Sequence, residues 1–425
     1  MPARGSSASA YVAMLRLFVI GLFLQEAVVN LPTLDLSVGN VLRRGDEVVI
    51  MMFLGLAVLQ PRRPRTRDAL LVSTVAYVLI QVASAVKNDV QVQIWAGHIF
   101  LFLKGFLLLL FCSRLRVTDR QALGLLKLIN NLLIVCCVVA FLQMLGVPLP
   151  WKRSLRIYLG FEAATSIFNH HTLWGTAAGT GVATIVGVLL SGNRRRYWRI
   201  SLVVLALGLL ISTSRRYIMS VPLSALAVII LTSPRERAVK LLRYTAVSFV
   251  VGIVAFPVLM RVGEGTYQEY IVNAETRDRY ALYLGALRLV EMSPLLGRGP
   301  GMYGSWMSVL YESPVYAQLG ISTLVPLQYR NGAPYAGVLG EGGILGFGLY
   351  LTIFVILVKK LVSSALHPRS QIHRLMANVS LMLVLGGMLE SIVHPYFTGS
   401  IATYLCFMMV GLTEAIRLRR PVRSA

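Results

Sequence analysis

For most of its length the chain alternates continuous apolar runs with short basic connections. The runs approach the ~20 residues that cross a bilayer at roughly 1.5 Å of rise each, so they predict membrane-spanning helices. A β-barrel is excluded, because its strands would alternate apolar and polar positions. The predicted spans are 12–31, 46–60, 69–86, 96–112, 123–146, 173–191, 200–213, 217–231, 244–260, 335–358, 375–393 and 400–416. The first, Val12 to Leu31, is too long for the apolar core of a signal peptide and lacks a small-residue cleavage site. One long polar stretch, 261–334, interrupts the pattern. The expected organisation is an amino-terminal transmembrane bundle of about nine helices (1–260), a large loop with short helices (261–334) and carboxy-terminal spans (335–425). The fold class is an all-α polytopic integral membrane protein with about twelve transmembrane helices.

Composition narrows the class further. With 56% hydrophobic and only 14% charged residues, the 425-residue chain is neither disordered nor an ordinary soluble enzyme. A net charge of +23 would suit a nucleic-acid partner, but its placement argues against one. The basic residues cluster in alternate short connections: Arg62–Arg67, Arg114–Arg120, Arg194–Arg199, Arg235–Arg243, Lys359–Arg374 and Arg417–Arg423. That is the positive-inside pattern of cytoplasmic loops, with affinity for anionic membrane lipids. Both termini are then cytoplasmic, and 32–45, 87–95, 147–172, 214–216, 261–334 and 394–399 lie on the outer face. Cys112, Cys136, Cys137 and Cys406 all fall in spans, with no disulfide framework and no metal-ligand spacing.

The outer connections carry the candidate chemistry. In the long loop, Thr276 is placed to cap a helix running to Met292, ended by Pro294 and Gly297. Helical spacing puts Arg277, Ala281, Leu284 and Arg288 on one face, with Arg279 and Tyr283 on another side. Arginine suits bidentate capture of phosphate oxygens. The turn Gly297-Arg-Gly-Pro-Gly301 allows close backbone approach to a ligand; spacing alone favours a helix C-cap followed by a tight turn. Ser212-Thr-Ser-Arg-Arg-Tyr217 puts Arg215 and Arg216 at the outer boundary, as snorkelling side chains or as a cationic site for a lipid phosphate. His170 and His171 stand just before the sixth span, and His394 stands in the last outer loop with Glu390 a turn before it. Glu341 reads equally as an ion-pair partner of an arginine or as a chemical group. Glu26 and Lys104, inside spans, either pair with each other or line a lipid groove.

Three ordered segments resemble the Wzy polysaccharide polymerase and O-antigen ligase superfamily. They are Ser214-Arg215; Arg279 with Tyr283, Pro294-Leu-Leu-Gly297, Gly299, Gly301 and Tyr303; and Tyr335 with Glu341-Gly-Gly-Ile-Leu-Gly346. The resemblance covers 210–350 by motif and the rest by topology. It implies a GT-C-like fold and a metal-independent, cofactor-free glycosyltransferase at the outer face of the bacterial inner membrane. The implied donor is an oligosaccharide on undecaprenyl pyrophosphate, with a chain-length regulator and a flippase as partners. Arg215 and Arg279 match the family's arginine positions, and fixed guanidinium groups stabilise charge on a departing pyrophosphate. Arg216, Arg277, Arg288, Arg298, Arg330, Tyr283, Tyr335 and His394 are the expected substrate-binding groups. One departure matters. The ligases usually carry a histidine about nine residues before this glutamate, and this chain has Gly332 there. The departure favours a polymerase over a ligase, with a flippase third because the charges gather at one surface. It leaves the base to His171, His170, Glu341 or His394, in that order.

Overall fold

The computed structural model describes residues 6–31, 44–59, 68–151, 161–168, 170–232, 278–397 and 400–418, together with positions 34, 39, 42, 157 and 158. The long helices are α1 (Ser6–Val29), α2 (Gly45–Leu59), α3 (Ala69–Lys87), α4 (Val92–Arg114), α5 (Asp119–Met144), α6 (His171–Leu190), α7 (Arg196–Ile211) and α8 (Arg215–Thr232). The long loop contributes α9 (Asp278–Met292), α10 (Trp306–Leu310), α11 (Val315–Gln318) and a 3-10 turn at Leu327–Tyr329. The chain closes with α12 (Pro334–Leu366), α13 (Gln371–Glu390) and α14 (Ile401–Arg417). A two-residue antiparallel ladder, β1 (Ile157–Tyr158) with β2 (Phe161–Glu162), is the one strand pair among the described residues.

Among the described residues seven helices are long and apolar enough to cross a membrane: α1, α3, α4, α5, α6, α12 and α13. The predicted spans 46–60, 200–213, 217–231 and 400–416 correspond to α2, α7, α8 and α14, of 15, 16, 18 and 17 residues. The span 244–260 lies outside the described residues, as do Thr276 and Arg277. The shortness of α2 and α14 has a visible reason. Lys104, part-way along α4, lies 3.8 Å from both Asp46 and Glu47 at the start of α2. It also lies 5.4 Å from the ring centre of Tyr404, near the start of α14, and that hydroxyl donates to Asp46. The amino-terminal ends of α2 and α14 thus sit part-way down α4. Lys104 therefore pairs with α2, and Glu26 takes a hydrogen bond from Asn30 at 3.2 Å.

Small residues let the central helices touch. A Cβ at Gly187 of α6 would stand 2.7 Å from the Val379 backbone of α13, and one at Gly411 of α14 would stand 2.7 Å from Leu109 O of α4. Close backbone approach of this kind replaces the hydrophobic driving force that helices lack in lipid. The connections gather at two opposite ends. At one end, Trp151 donates to Ala27 O (2.8 Å), Ala164 N to Ile211 O (3.1 Å), Asn88 to Gly297 O (3.1 Å) and Tyr283 to Ile392 O (2.7 Å). At the other end, Lys360 pairs with Asp68 and Arg417 holds Glu414 through two 2.7 Å bonds.

The long loop has a core of its own, built from Ala281, Leu282, Ala286 and Leu289 of α9 against Tyr303, Tyr316 and Val325. Of the described members of the stripe of Arg277, Ala281, Leu284 and Arg288, packing against the loop covers Ala281 and leaves Leu284 and Arg288 at the exposed edge. Arg330 lies over the Tyr316 ring at 4.2 Å, so it braces this core.

Candidate functional site

Two structures meet at the end of the bundle that carries the long loop, and the first is a junction of the two glycine-rich segments. Helix α12 is broken at Gly343, where φ is 60° and ψ is −162°. The Tyr335 ring consequently lies 6.1 Å from Tyr350 and 6.3 Å from Phe347. A straight helix would separate residues 335 and 350 by roughly 22 Å of rise. The break strips backbone groups of their helical partners, and the turn after α9 supplies replacements. Arg298 N donates to Gly340 O (2.9 Å) and Gly299 N to Glu341 O (3.0 Å), while Ile344 N donates to Pro294 O (2.9 Å). Ser84 donates to Leu296 O and, at 3.1 Å, to Glu341 O. A broken helix is tolerated near lipid only when its freed groups are paired in this way. Close backbone approach is indeed what the glycines provide, but to the chain itself: a Cβ at Gly297 would stand 2.6 Å from Glu341 O.

Glu341 belongs to this junction. Its Oε1 accepts from Tyr303 N at 2.9 Å and its Oε2 lies 3.1 Å from His98 Nε2. The carboxyl group is 1% exposed, and its second oxygen is within hydrogen-bond distance of the imidazole of α4. His98 carries no motif and gives no sequence signal beyond being a polar residue inside an apolar span. Arg298 sits on the same turn, its Nη2 resting 3.7 Å from Met292 Sδ. Arg288, at the same end of α9, is exposed and reaches Leu319 O at 3.4 Å.

The second structure is a cationic corner at the other end of α9. Arg216, in the first turn of α8, reaches Glu390 Oε2 at 3.4 Å and Thr172 O at 3.4 Å. Glu390, the last residue of α13, accepts from Ser220 at 2.7 Å on its other oxygen. One turn later His394 N donates to Glu390 O at 2.9 Å, which fixes the backbone of His394 against the end of α13. The residue is half-buried, and its Nε2 is enclosed with no hydrogen-bond partner among the described residues. Burial, then the charges of Arg216 and Arg279, hold the His394 pKa well below 6.5. Both guanidinium groups therefore act on one neutral imidazole.

Arg279 reaches this corner from the first turn of α9. Its neighbour Tyr283 is anchored to Ile392 O, and Tyr335 donates to Met388 O at 2.7 Å, so both tyrosines tie the loop to the end of α13. Burial raises the Tyr283 hydroxyl, partly offset by Arg279. A Cβ at Gly332 would lie 3.8 Å from Arg279 Nε, so position 332 opens directly onto this arginine. Arg215 is the first residue of α8, and its side chain lies outside the described residues. His170 caps α6, its Nδ1 accepting from Thr172 N at 3.2 Å and lying 2.7 Å from Thr172 Oγ1. His171 is buried at the start of α6 and stacks on His170 with ring centres 4.2 Å apart. Through Thr172 this segment borders Arg216.

The corner thus gathers Arg216, Arg279, His394 and Glu390 from three helices and a loop. Two fixed cations and one carboxylate leave a net positive site, suited to a polyanionic group, with an unprotonated imidazole at its edge. No protein-family model matches the chain, and no curated protein matches it.

Proposed function

We propose that this protein is a metal-independent glycosyltransferase that polymerises oligosaccharide repeat units carried on undecaprenyl pyrophosphate. In this reading it is a GT-C-like protein of about twelve spans in the bacterial inner membrane, with the α9–α11 end facing the periplasm. The observation that carries the proposal is the convergence of Arg216, Arg279 and His394 from distant parts of the sequence. The reaction needs cations at a departing pyrophosphate and a proton acceptor near the incoming hydroxyl. Arg279 and Arg216 neutralise charge as the bond between the anomeric carbon and the pyrophosphate oxygen breaks. The acceptor hydroxyl forms the new bond to that carbon and passes its proton to His394, which is neutral and therefore able to receive it. Position 332 is glycine beside Arg279, and His394 approaches the same arginine from the opposite connection. The missing loop histidine is replaced, in this reading, from another element. That arrangement supports a polymerase more than a ligase that transfers glycan to lipid A core.

A strain lacking the protein is expected to accumulate single lipid-linked repeat units and to lose high-molecular-weight polysaccharide. Long polymer retained on the carrier and missing only from lipid A would establish the ligase instead. Orientation is checked separately. The native cysteines Cys112, Cys136, Cys137 and Cys406 are buried, and Gln318 is exposed on the long loop. Gln318→Cys is expected to react with an impermeant maleimide added outside spheroplasts; labelling only after lysis would place the site in the cytoplasm and defeat the proposal.

His394→Gln is expected to lower the rate of polymer formation by about 10²- to 10⁴-fold, the usual contribution of a positioned base. Because the folded pKa is depressed, the acid limb of the wild-type pH–rate profile should fall below pH 6.5, and it should vanish in the variant. The same shift sets the sign for stability. Below its unfolded pKa near 6.5 the unfolded chain binds the proton more readily, so this contribution is present above that value and is lost as pH falls from it through the lower folded pKa. Equal rates for His394→Gln and wild type, with loss in His171→Gln, would move the base to α6.

A further inference from the structure

The turn that seals the broken helix also leaves two cations with unused donors at an exposed rim. Lys87, the last residue of α3, is exposed and gives one described hydrogen bond, to Ser293 Oγ at 3.2 Å. Arg298 reaches Met292 Sδ at 3.7 Å, a weak acceptor, and its Nε is enclosed without a hydrogen-bond partner among the described residues. Met292 and Ser293 are consecutive, so both cations converge on the end of α9. Asp89 and Glu291 are exposed nearby, and neither forms a described ion pair with Lys87 or Arg298. They temper the net charge, so the selecting feature is the unused donors of the guanidinium and not a long-range field. A guanidinium carries five donors in a planar fork, and leaving them without acceptors is costly.

The surface beside these cations is apolar and exposed: Met292 (57%), Leu295 (58%), Ile344 (54%) and Leu345 (43%). The last two begin the straight part of α12, and their amides bond to Pro294 O and Leu295 O, so these side chains flank the turn that carries Arg298. Acyl chains suit such a surface, and a phosphate diester suits the two cations above it.

We infer that Lys87 and Arg298 form a binding site for the phosphate of a membrane glycerophospholipid, at the opposite end of α9 from Arg279, with the acyl chains on Met292, Leu295 and Ile344. The inference does not rest on glycosyl transfer, because its readout is lipid retention. The test uses the purified full-length protein in a neutral detergent, titrated with dioleoylphosphatidylglycerol and followed by native mass spectrometry. One tightly held lipid is expected in the wild type, with affinity falling tenfold or more in the Lys87→Gln/Arg298→Gln double variant. Arg298→Lys keeps the charge and should retain more lipid than Arg298→Gln, which holds the test open if the double variant fails to fold. Equal retention in wild type, Arg298→Lys and Arg298→Gln would overturn the site. So would protection of the protein by inorganic phosphate without any specific lipid adduct, which would identify a soluble anion as the occupant.

Discussion

Arg279→Ala is expected to abolish high-molecular-weight polysaccharide while the protein still reaches the membrane. Removing one preorganised donor to a developing anion typically lowers a rate by about 10²- to 10³-fold. In the proposed reaction the charge at stake is a whole guanidinium facing a pyrophosphate. Lysine is expected to restore little, because an ammonium has neither the planar fork nor its reach. Arg279 is a cleaner test than Arg216. Arg216 lies 3.4 Å from the buried carboxylate of Glu390, so alanine there strands a charge, at a cost of about 3–5 kcal/mol. Arg216→Ala should therefore lower protein level as well as activity, and adding Glu390→Gln should recover the level without the activity. Polymer at wild-type amounts in Arg279→Ala would remove this arginine from the chemistry. Activity is read as polymer length in the deletion strain and protein level by immunoblot of membranes.

The second large effect is on folding. Gly343→Ala is expected to destabilise the protein by more than about 3 kcal/mol. Its φ of 60° with ψ of −162° is a region that only glycine occupies without strain, costing about 1–3 kcal/mol for other residues. The new Cβ would also stand 2.6 Å from both C and O of Leu295. Those are backbone atoms of the sealing turn, so the clash cannot be relieved by a rotamer change. Moving the turn would unpair Arg298 N, Gly299 N and Ile344 N together. A fall in melting temperature of at least roughly 3–4 °C in detergent, or failure to accumulate, is the expected outcome. Gly348→Ala is the control, since a Cβ there meets nothing within 4 Å. Equal melting of both variants and wild type would show that the break at Gly343 does not hold the junction.

Part of this architecture is legible in the amino-acid sequence alone. Uninterrupted apolar runs specify helices because lipid offers no partner for a backbone amide, so each span must satisfy itself. Charge placement sets which connections share an end, and the gathering of Trp151, Asn88, Tyr283 and Ile392 at one end follows that pattern. The turn after α9 reads as a C-cap from Pro294 and Gly297 alone, because few residues besides glycine tolerate the backbone that ends a helix this way. The pairing of the two glycine segments does not show in the same way. Each reads locally as a turn or a helix start, and only their contact shows that one supplies the hydrogen bonds the other lacks. Helical spacing places Arg279 and Tyr283 away from Arg288, yet periodicity cannot say which arc the loop core will cover. Glu341 reads as an arginine partner or a chemical group, whereas its neighbour is His98, far away in sequence and without motif. His394 ranks last among the base candidates by sequence, a lone histidine in the last outer connection. What sets it beside Arg216 and Arg279 is the end of α13 meeting the starts of α8 and α9. Sequence by itself determined the helices and the ends at which they meet, since those depend on local transfer energies. Tertiary structure alone decided which cations share a site, since that depends on distances between segments that no spacing along the chain encodes.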